Sequence, residues 1–390
     1  DIVENVKNLY KTEAESGQSN HLALFGFVKF FSAVQIIASH SLSYYKKTLK
    51  VNNLWPTDDP WFIAFLIGEF IPVGQIFSIG GFLAAYTLID KASREGVSLK
   101  KFCLDIVQKV FKVYPGFWAC ILLYWFIMPE ISSEALWTEN LEVYTCERDF
   151  VQNIFLIGDL LRPPAGSTCV HWTWYISLDF LVYPAVILLA YLYVQKKRTV
   201  GYRATIILIV ASIISGWFII LYVDPNHKGA WTRYPPARAF EILIGVLFGI
   251  QYYEYSKLKR EDNLNSICEK FSDLRYTFIV FGAAIYYFAI FPKHQEMGLS
   301  ANQWDYTRRI MLSLGTPLLF VPLVDDCTSI LKKFMNHRIF QSLGKISFGL
   351  YLFHYHSRMI TRYLDQNPIK SYDLGAIFLE ILRVIVYSCI

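Results

Sequence analysis

The chain has 390 residues, 54% hydrophobic and 17% aromatic, with 18% charged side chains and a formal net charge of +5. A soluble domain carries about a quarter charged residues, so this composition excludes a water-soluble globule, and the mean hydropathy of +0.33 agrees. The small basic excess is spread over short loops, which speaks for membrane orientation and against nucleic acid as a partner.

Apolar runs of about 20 residues recur from end to end, the signature of an all-α, polytopic transmembrane helical bundle. Residues 1–20 are polar and mixed in charge and are expected to form a cytosolic lead-in or linker, with the transmembrane domain over 21–390. The chain opens at Asp1 without a Met and stops inside an apolar run at Ile390, so it is expected to be a piece of a longer protein. About ten spans are expected, near 22–43, 61–89, 103–128, 171–195, 203–223, 236–256, 275–292, 308–325, 343–363 and 371–390. Residues 150–157 form a shorter apolar patch that suits an interface better than a crossing.

The first run, His21 to Tyr45, carries Lys29 and His40 inside its hydrocarbon length. On a helix they stand roughly 16 Å apart at 1.5 Å per residue. Ionisable groups are costly in a bilayer, so each marks a functional site by default. Lys109 and Lys112 lie in the third run, Asp179 in the fourth, Arg238 and Glu241 open the sixth, and His354 sits mid-way along the ninth. Cys103, Cys120 and Cys389 fall in apolar runs and read as core thiols. Cys146 and Cys169 share the one long polar loop, 129–170, which a disulfide can close if it faces an oxidising compartment. No Cys/His spacing resembles a zinc site and no Gly-rich phosphate loop is present, so no metal and no permanently bound cofactor is expected.

Basic residues set the orientation. Lys91, Arg94, Lys100 and Lys101 follow the second span, Lys196, Lys197, Arg198 and Arg203 the fourth, Lys257, Lys259 and Arg260 the sixth, and Lys332, Lys333 and Arg338 the eighth. All four clusters fall on one side, which the positive-inside rule makes cytosolic, together with the N-terminus of this segment. The loop 129–170 is then extracellular or lumenal. On this reading the lysines form an inner layer and His40, Asp179, Arg238, Glu241 and His354 an outer one.

Six stretches carry a resemblance. They are the Lys29/His40 span, FSIGGFLAAY at Phe77 to Tyr86, KVFKVYP at Lys109 to Pro115, WTWYISLDFLVY at Trp172 to Tyr183, RAFEILIG at Arg238 to Gly245, and LGKISFGLYLFH at Leu343 to His354. In this order, over most of residues 20–360, they resemble the acyltransferase-3 family of membrane O-acyltransferases, above all its animal branch named "nose resistant to fluoxetine". The family's patterns are a basic residue eleven before a His, FFxxSGFLxxY, RxxRxYP, WxWYLxxDxQFY, RxxELLxG and LGxxSYxxYLxH. This chain departs by Lys for Arg at 29, 109 and 112, by Gly74 for an Asp, Gly80 for the Ser and Leu181 for the Gln. The paired cysteines fit the animal branch, and the resemblance implies a closing span that is expected to lie beyond Ile390.

The resemblance implies transfer of an acyl group from cytosolic acyl-CoA, the co-substrate, to a hydroxylated acceptor of unknown identity, among membrane lipids at the plasma membrane or endoplasmic reticulum. His40 is the expected base, since its unperturbed pKa of about 6.5 suits proton abstraction. Asp179 is expected to orient it. Lys29, Lys109 and Lys112 are expected to hold the donor's phosphates, as point charges where Arg would grip bidentately. Arg238, Glu241, His354, Trp174 and Tyr175 are the expected acceptor contacts. The alternative is a non-catalytic acyltransferase-like protein that binds or moves lipids or lipophilic small molecules.

Plainer readings stand beside these. His40 and His354 read as interhelical hydrogen-bonders, Asp179 as a partner of Tyr175 or Arg238, and Arg238 and Glu241 as mutually neutralising at i, i+3. The lysines read as snorkelling to headgroups, Trp172, Trp174 and Tyr175 as an interfacial belt, and Gly80 and Gly81 as packing positions.

Overall fold

A computed structural model of the chain describes residues 22–49, 70–131, 146–157, 169–195, 198–223, 234–260, 274–291, 297–324, 330–364 and 374–389. Among these residues the regular structure is helical, without strands. A helix occupies each of the ten expected places. These are α1 Leu24–Leu49, α2 Phe70–Glu95, α3 Leu99–Leu122, α5 Trp174–Gln195, α6 Arg198–Phe218, α7 Pro235–Arg260, α8 Arg275–Ile290, α9 Ala301–Phe320, α11 Arg338–Leu364 and α12 Leu374–Cys389. The short helices α4, Phe150–Ile154, and α10, Ile330–Met335, lie between them.

Among the described residues five stretches are long and apolar enough to cross a membrane: Leu24–Ser41, Ile71–Glu95, Leu99–Glu130, Trp174–Gln195 and Arg198–Val223. The expected count of ten spans is therefore not confirmed: helices lie at the expected places, and among the described residues five meet the length and hydropathy of a span. α8 and α12 are short at 16 residues each, and α7, α9 and α11 carry charges along their length. The expected lead-in at 1–20 lies outside the described residues, as does most of the loop 129–170.

Local chemistry explains the helix ends. α2 stops at Gly96, whose φ of +76° suits the left-handed position after a helix. Its N–H donates to the Ala92 carbonyl at 2.9 Å, and Lys101 caps the same turn by donating to the Glu95 and Gly96 carbonyls. α9 opens with a capping box. The Ser300 hydroxyl accepts from Gln303 N–H at 3.3 Å, and the Gln303 side chain accepts from Ser300 N–H at 3.0 Å.

The described chain forms two compact units. The first comprises residues up to Ile76, Gly116–Asn140 and Leu323–Ile390. Here α1 packs along α11 and α12, and a Cβ on Gly344 would fall 2.5 Å from the Cα of Gly26, so only glycine permits this crossing. Further along the same helices Ile37, Leu350 and Val384 form a dry core with Phe30, Ile346 and Ile385.

The second unit comprises Phe77–Pro115 and Leu141–Pro322. It is built on α7, whose Gly245 and Gly249 meet the Ser78 and Phe82 carbonyls of α2, while Gly81 of α2 meets the Ile242 carbonyl. Gly245-xxx-Gly249 thus acts as a small-xxx-small contact. Gly80, by contrast, has open space around it. α5, α6 and α9 surround α7. Arg198 pairs with Glu254 at 2.9 Å and Lys91 with Asp105 at 2.6 Å. Tyr86 and Tyr193 both pack on Tyr253. Arg198 at the start of α6 therefore meets the last turns of α7.

Two expectations are corrected here. Cys103 is exposed, not a core thiol, because it shares the outer face of α3 with Leu104, Val107 and Phe111. An apolar exterior is what a span turns to lipid, so an apolar run does not imply burial. Trp172 is 2% exposed and so no part of a headgroup belt. The disulfide Cys146–Cys169 is present and ties the loop to the start of α5.

Candidate active site

Beyond the Ile37–Leu350–Val384 core, the first unit turns polar. One helical turn on from Ile37 come His40 and Ser41; one and two turns on from Leu350 come His354 and Arg358. His40 Nδ1 lies 2.9 Å from His354 Nε2. His354 is 1% exposed, and its Nδ1 is 2.5 Å from the Tyr351 carbonyl. A carbonyl only accepts, so His354 Nδ1 carries the hydrogen and Nε2 the lone pair. That lone pair accepts from His40 Nδ1–H, which puts the lone pair of a neutral His40 on Nε2. The hydrogen-bond chain thus fixes which nitrogen of His40 can take a proton.

Arg358, 4% exposed, donates from Nη1 to the His40 carbonyl at 2.9 Å and stacks over the Tyr355 ring at 4.2 Å. His356 turns the other way, its Nε2 donating to the Cys120 carbonyl at 3.1 Å, with Tyr124 edge-on to its ring. Just beyond, α3 widens into a π turn over Leu123–Ile127, a feature that recurs at functional sites. Lys29 sits half-buried on α1, and Ser32 of the same helix donates to Gln75 at 2.7 Å.

In the second unit Lys109 and Asp179 pair at 2.5 Å, with the ammonium 4.7 Å from the Tyr183 ring. Lys112 is exposed. Asp105 takes both Lys91 and the Tyr191 hydroxyl, the latter at 2.9 Å. Arg238 and Glu241 are both 0% exposed and joined by two bonds, Nε to Oε1 at 2.5 Å and Nη2 to Oε2 at 2.9 Å. The guanidinium lies 4.7 Å from the Trp174 ring and 5.7 Å from Phe77, whose other neighbour is Tyr175 at 5.9 Å.

The expected residues thus fall into two sets. His40 and His354 meet in the first unit, where Lys29 also lies. Lys109 meets Asp179 in the second, and Arg238, Glu241, Trp174 and Tyr175 form one cluster there. Lys109 of the expected inner layer and Asp179 of the expected outer one touch. Lys109 is ten residues into α3, about 15 Å along its axis, which brings it within reach of Asp179. Asp179, the expected partner of the base, is paired with Lys109 within the second unit. Sequence reasoning passed over Arg358 and His356. The signal for Arg358 was a second ionisable side chain four residues beyond His354, hence on the same helical face.

A family model described as "Acyltransferase domain" matches residues 25–390 of the chain. Among curated proteins the chain is similar to "Nose resistant to fluoxetine protein 6" of Caenorhabditis elegans, 21% identical over 373 residues that cover 84% of this chain and 44% of that protein. It therefore spans less than half the length of that relative. No solved structure matches the chain significantly.

Proposed function

The chain belongs to this acyltransferase family of membrane proteins, and from that premise we propose that it moves an acyl group from cytosolic acyl-CoA to a hydroxyl acceptor, with His40 as general base. The observation that carries this reading is the bond between His40 Nδ1 and His354 Nε2. In acyl transfer the acceptor O–H gives its proton to His40 Nε2 while the oxygen adds to the thioester carbonyl carbon. The tetrahedral oxyanion then collapses, the C–S bond breaks, and the departing thiolate takes the proton back from the imidazolium. Throughout, His354 holds the ring in place and accepts from Nδ1–H, which supports the imidazolium as it forms. This is the orienting part that a carboxylate plays in a Ser-His-Asp arrangement.

The donor carries phosphates, which lysine attracts as a point charge; the candidates are Lys29 in the first unit and Lys109 and Lys112 in the second. Acyl-CoA binding to purified protein tests this half, with each lysine changed singly to Ala. Binding in the micromolar range, weakened in at least one variant, supports a donor site. No binding to the wild type contradicts it.

A second reading is favoured by one observation. Lys109 is already matched by Asp179, and the family's arginines at 29, 109 and 112 are lysines here. Lipid or lipophilic small-molecule handling without chemistry would tolerate both. We place the protein as a multi-pass component of the plasma membrane or endoplasmic reticulum, with the basic ends of its spans cytosolic.

A further inference from the structure

The polar end of the first unit contains more than a base and its orienter. The Arg358 guanidinium is buried and bound to the main-chain carbonyl of His40 itself, which holds it at the residue that carries the base. Its plane is set a second time by the Tyr355 ring. A guanidinium beside a proton acceptor is unfavourable if the outcome is only a protonated histidine. It becomes favourable when an anion forms in the same step.

Acyl transfer makes that anion. As the hydroxyl proton moves to His40, the thioester carbonyl oxygen acquires a full negative charge. A cation aimed at that oxygen stabilises the transition state and not the neutral ground state, which is the condition for raising turnover. The orienting group on His40 is an imidazole rather than a carboxylate, so it does not oppose the new charge. Ser41, next along α1, is 1% exposed and its hydroxyl has no hydrogen-bond partner among the described residues. A buried hydroxyl left unpaired costs about 1–3 kcal/mol, a cost relieved when a ligand oxygen arrives. Ser41 is one turn on from Ile37 and shares its face towards α11 and α12.

We propose that Arg358 is the oxyanion-binding group of this site, donating to the acyl carbonyl oxygen, with the Ser41 hydroxyl as a second donor. The inference rests on the reading of His40 as base. In the balanced step the new C–O bond forms, the carbonyl π pair moves to the oxygen facing Arg358, and the pair returns as the C–S bond breaks.

The test uses two coenzyme A derivatives as probes. One carries a tetrahedral phosphonate where the acyl carbonyl would be; the other is a thioether lacking the carbonyl oxygen. Arg358→Gln should lower kcat by about 10²–10³-fold, the range for one oxyanion donor, and weaken phosphonate binding by a similar factor. Thioether binding and KM should stay within about twofold, and Arg358→Lys should recover part of kcat. Equal loss of both probes would assign Arg358 a structural role and overturn the proposal, as would an unchanged kcat. If His40→Ala leaves acyl transfer intact, the reading of the base fails instead, and that result is separate from any obtained at Arg358.

Discussion

His40 Nδ1 and His354 Nε2 stand 2.9 Å apart, although 314 residues separate them in sequence. The bond joins α1 to α11 and, through the Tyr351 carbonyl, orders the protons along the chain of rings. Changing His354 to Ala should remove the orienter while leaving the base. Turnover is then expected to fall about 10²-fold, within the range for general acid–base contributions, with acyl-CoA affinity preserved. Steady-state kinetics and donor binding on the same sample check this, and unchanged turnover sinks the assigned role.

Arg238 and Glu241 form a doubly bonded pair with both side chains 0% exposed. Arg238→Met leaves the Glu241 carboxylate buried alone, at a cost of about 3–5 kcal/mol. Arg238→Met combined with Glu241→Leu should recover most of that loss, because desolvating a pair gains little over apolar packing. Thermal unfolding in detergent distinguishes the two. A double variant as unstable as the single one would mean that the pair is held by more than its own neutralisation.

Two adjacent glycines should behave differently. A Cβ on Gly81 would run into the Ile242 carbonyl, a backbone atom that can move only if α2 or α7 shifts. Gly81→Ala is expected to destabilise by about 1–3 kcal/mol. Gly80→Ala meets nothing within 4 Å and should change stability by less than about 0.5 kcal/mol. Equal effects at both positions would contradict the close helix contact.

Asp179 separates two accounts of one residue. Paired with Lys109 at 2.5 Å, it competes with any phosphate that the lysine binds. Asp179→Asn should therefore tighten acyl-CoA binding, by about tenfold if 1.4 kcal/mol of pairing is released. If Asp179 instead orients the base, the same variant loses turnover and its donor affinity stays put. Isothermal titration alongside a turnover assay reads both.

Much of this was legible in the sequence because it is governed by local rules. Apolar run length placed a helix at each expected position among the described residues. The Arg238/Glu241 pair followed from i, i+3 spacing, and the Cys146–Cys169 bridge from two cysteines sharing a polar loop. What the sequence did not show depends on helix rotation and depth. Cys103 faces outward and Trp172 inward, and hydropathy alone does not tell the two faces of an apolar span apart. Lys109 and Asp179 meet because α3 begins at Leu99, four residues before the apolar run it contains. Arg358 was hidden by the motif itself, which ends at His354 one turn too early.

The most direct measurement is release of coenzyme A from acyl-CoA by the purified protein, with water or added alcohols as acceptor, in wild type and His40→Ala, with donor binding measured on the same samples. The account predicts slow release by the wild type and a drop of at least about 10²-fold in the variant, with the donor still bound. Release that survives the loss of His40 would contradict it.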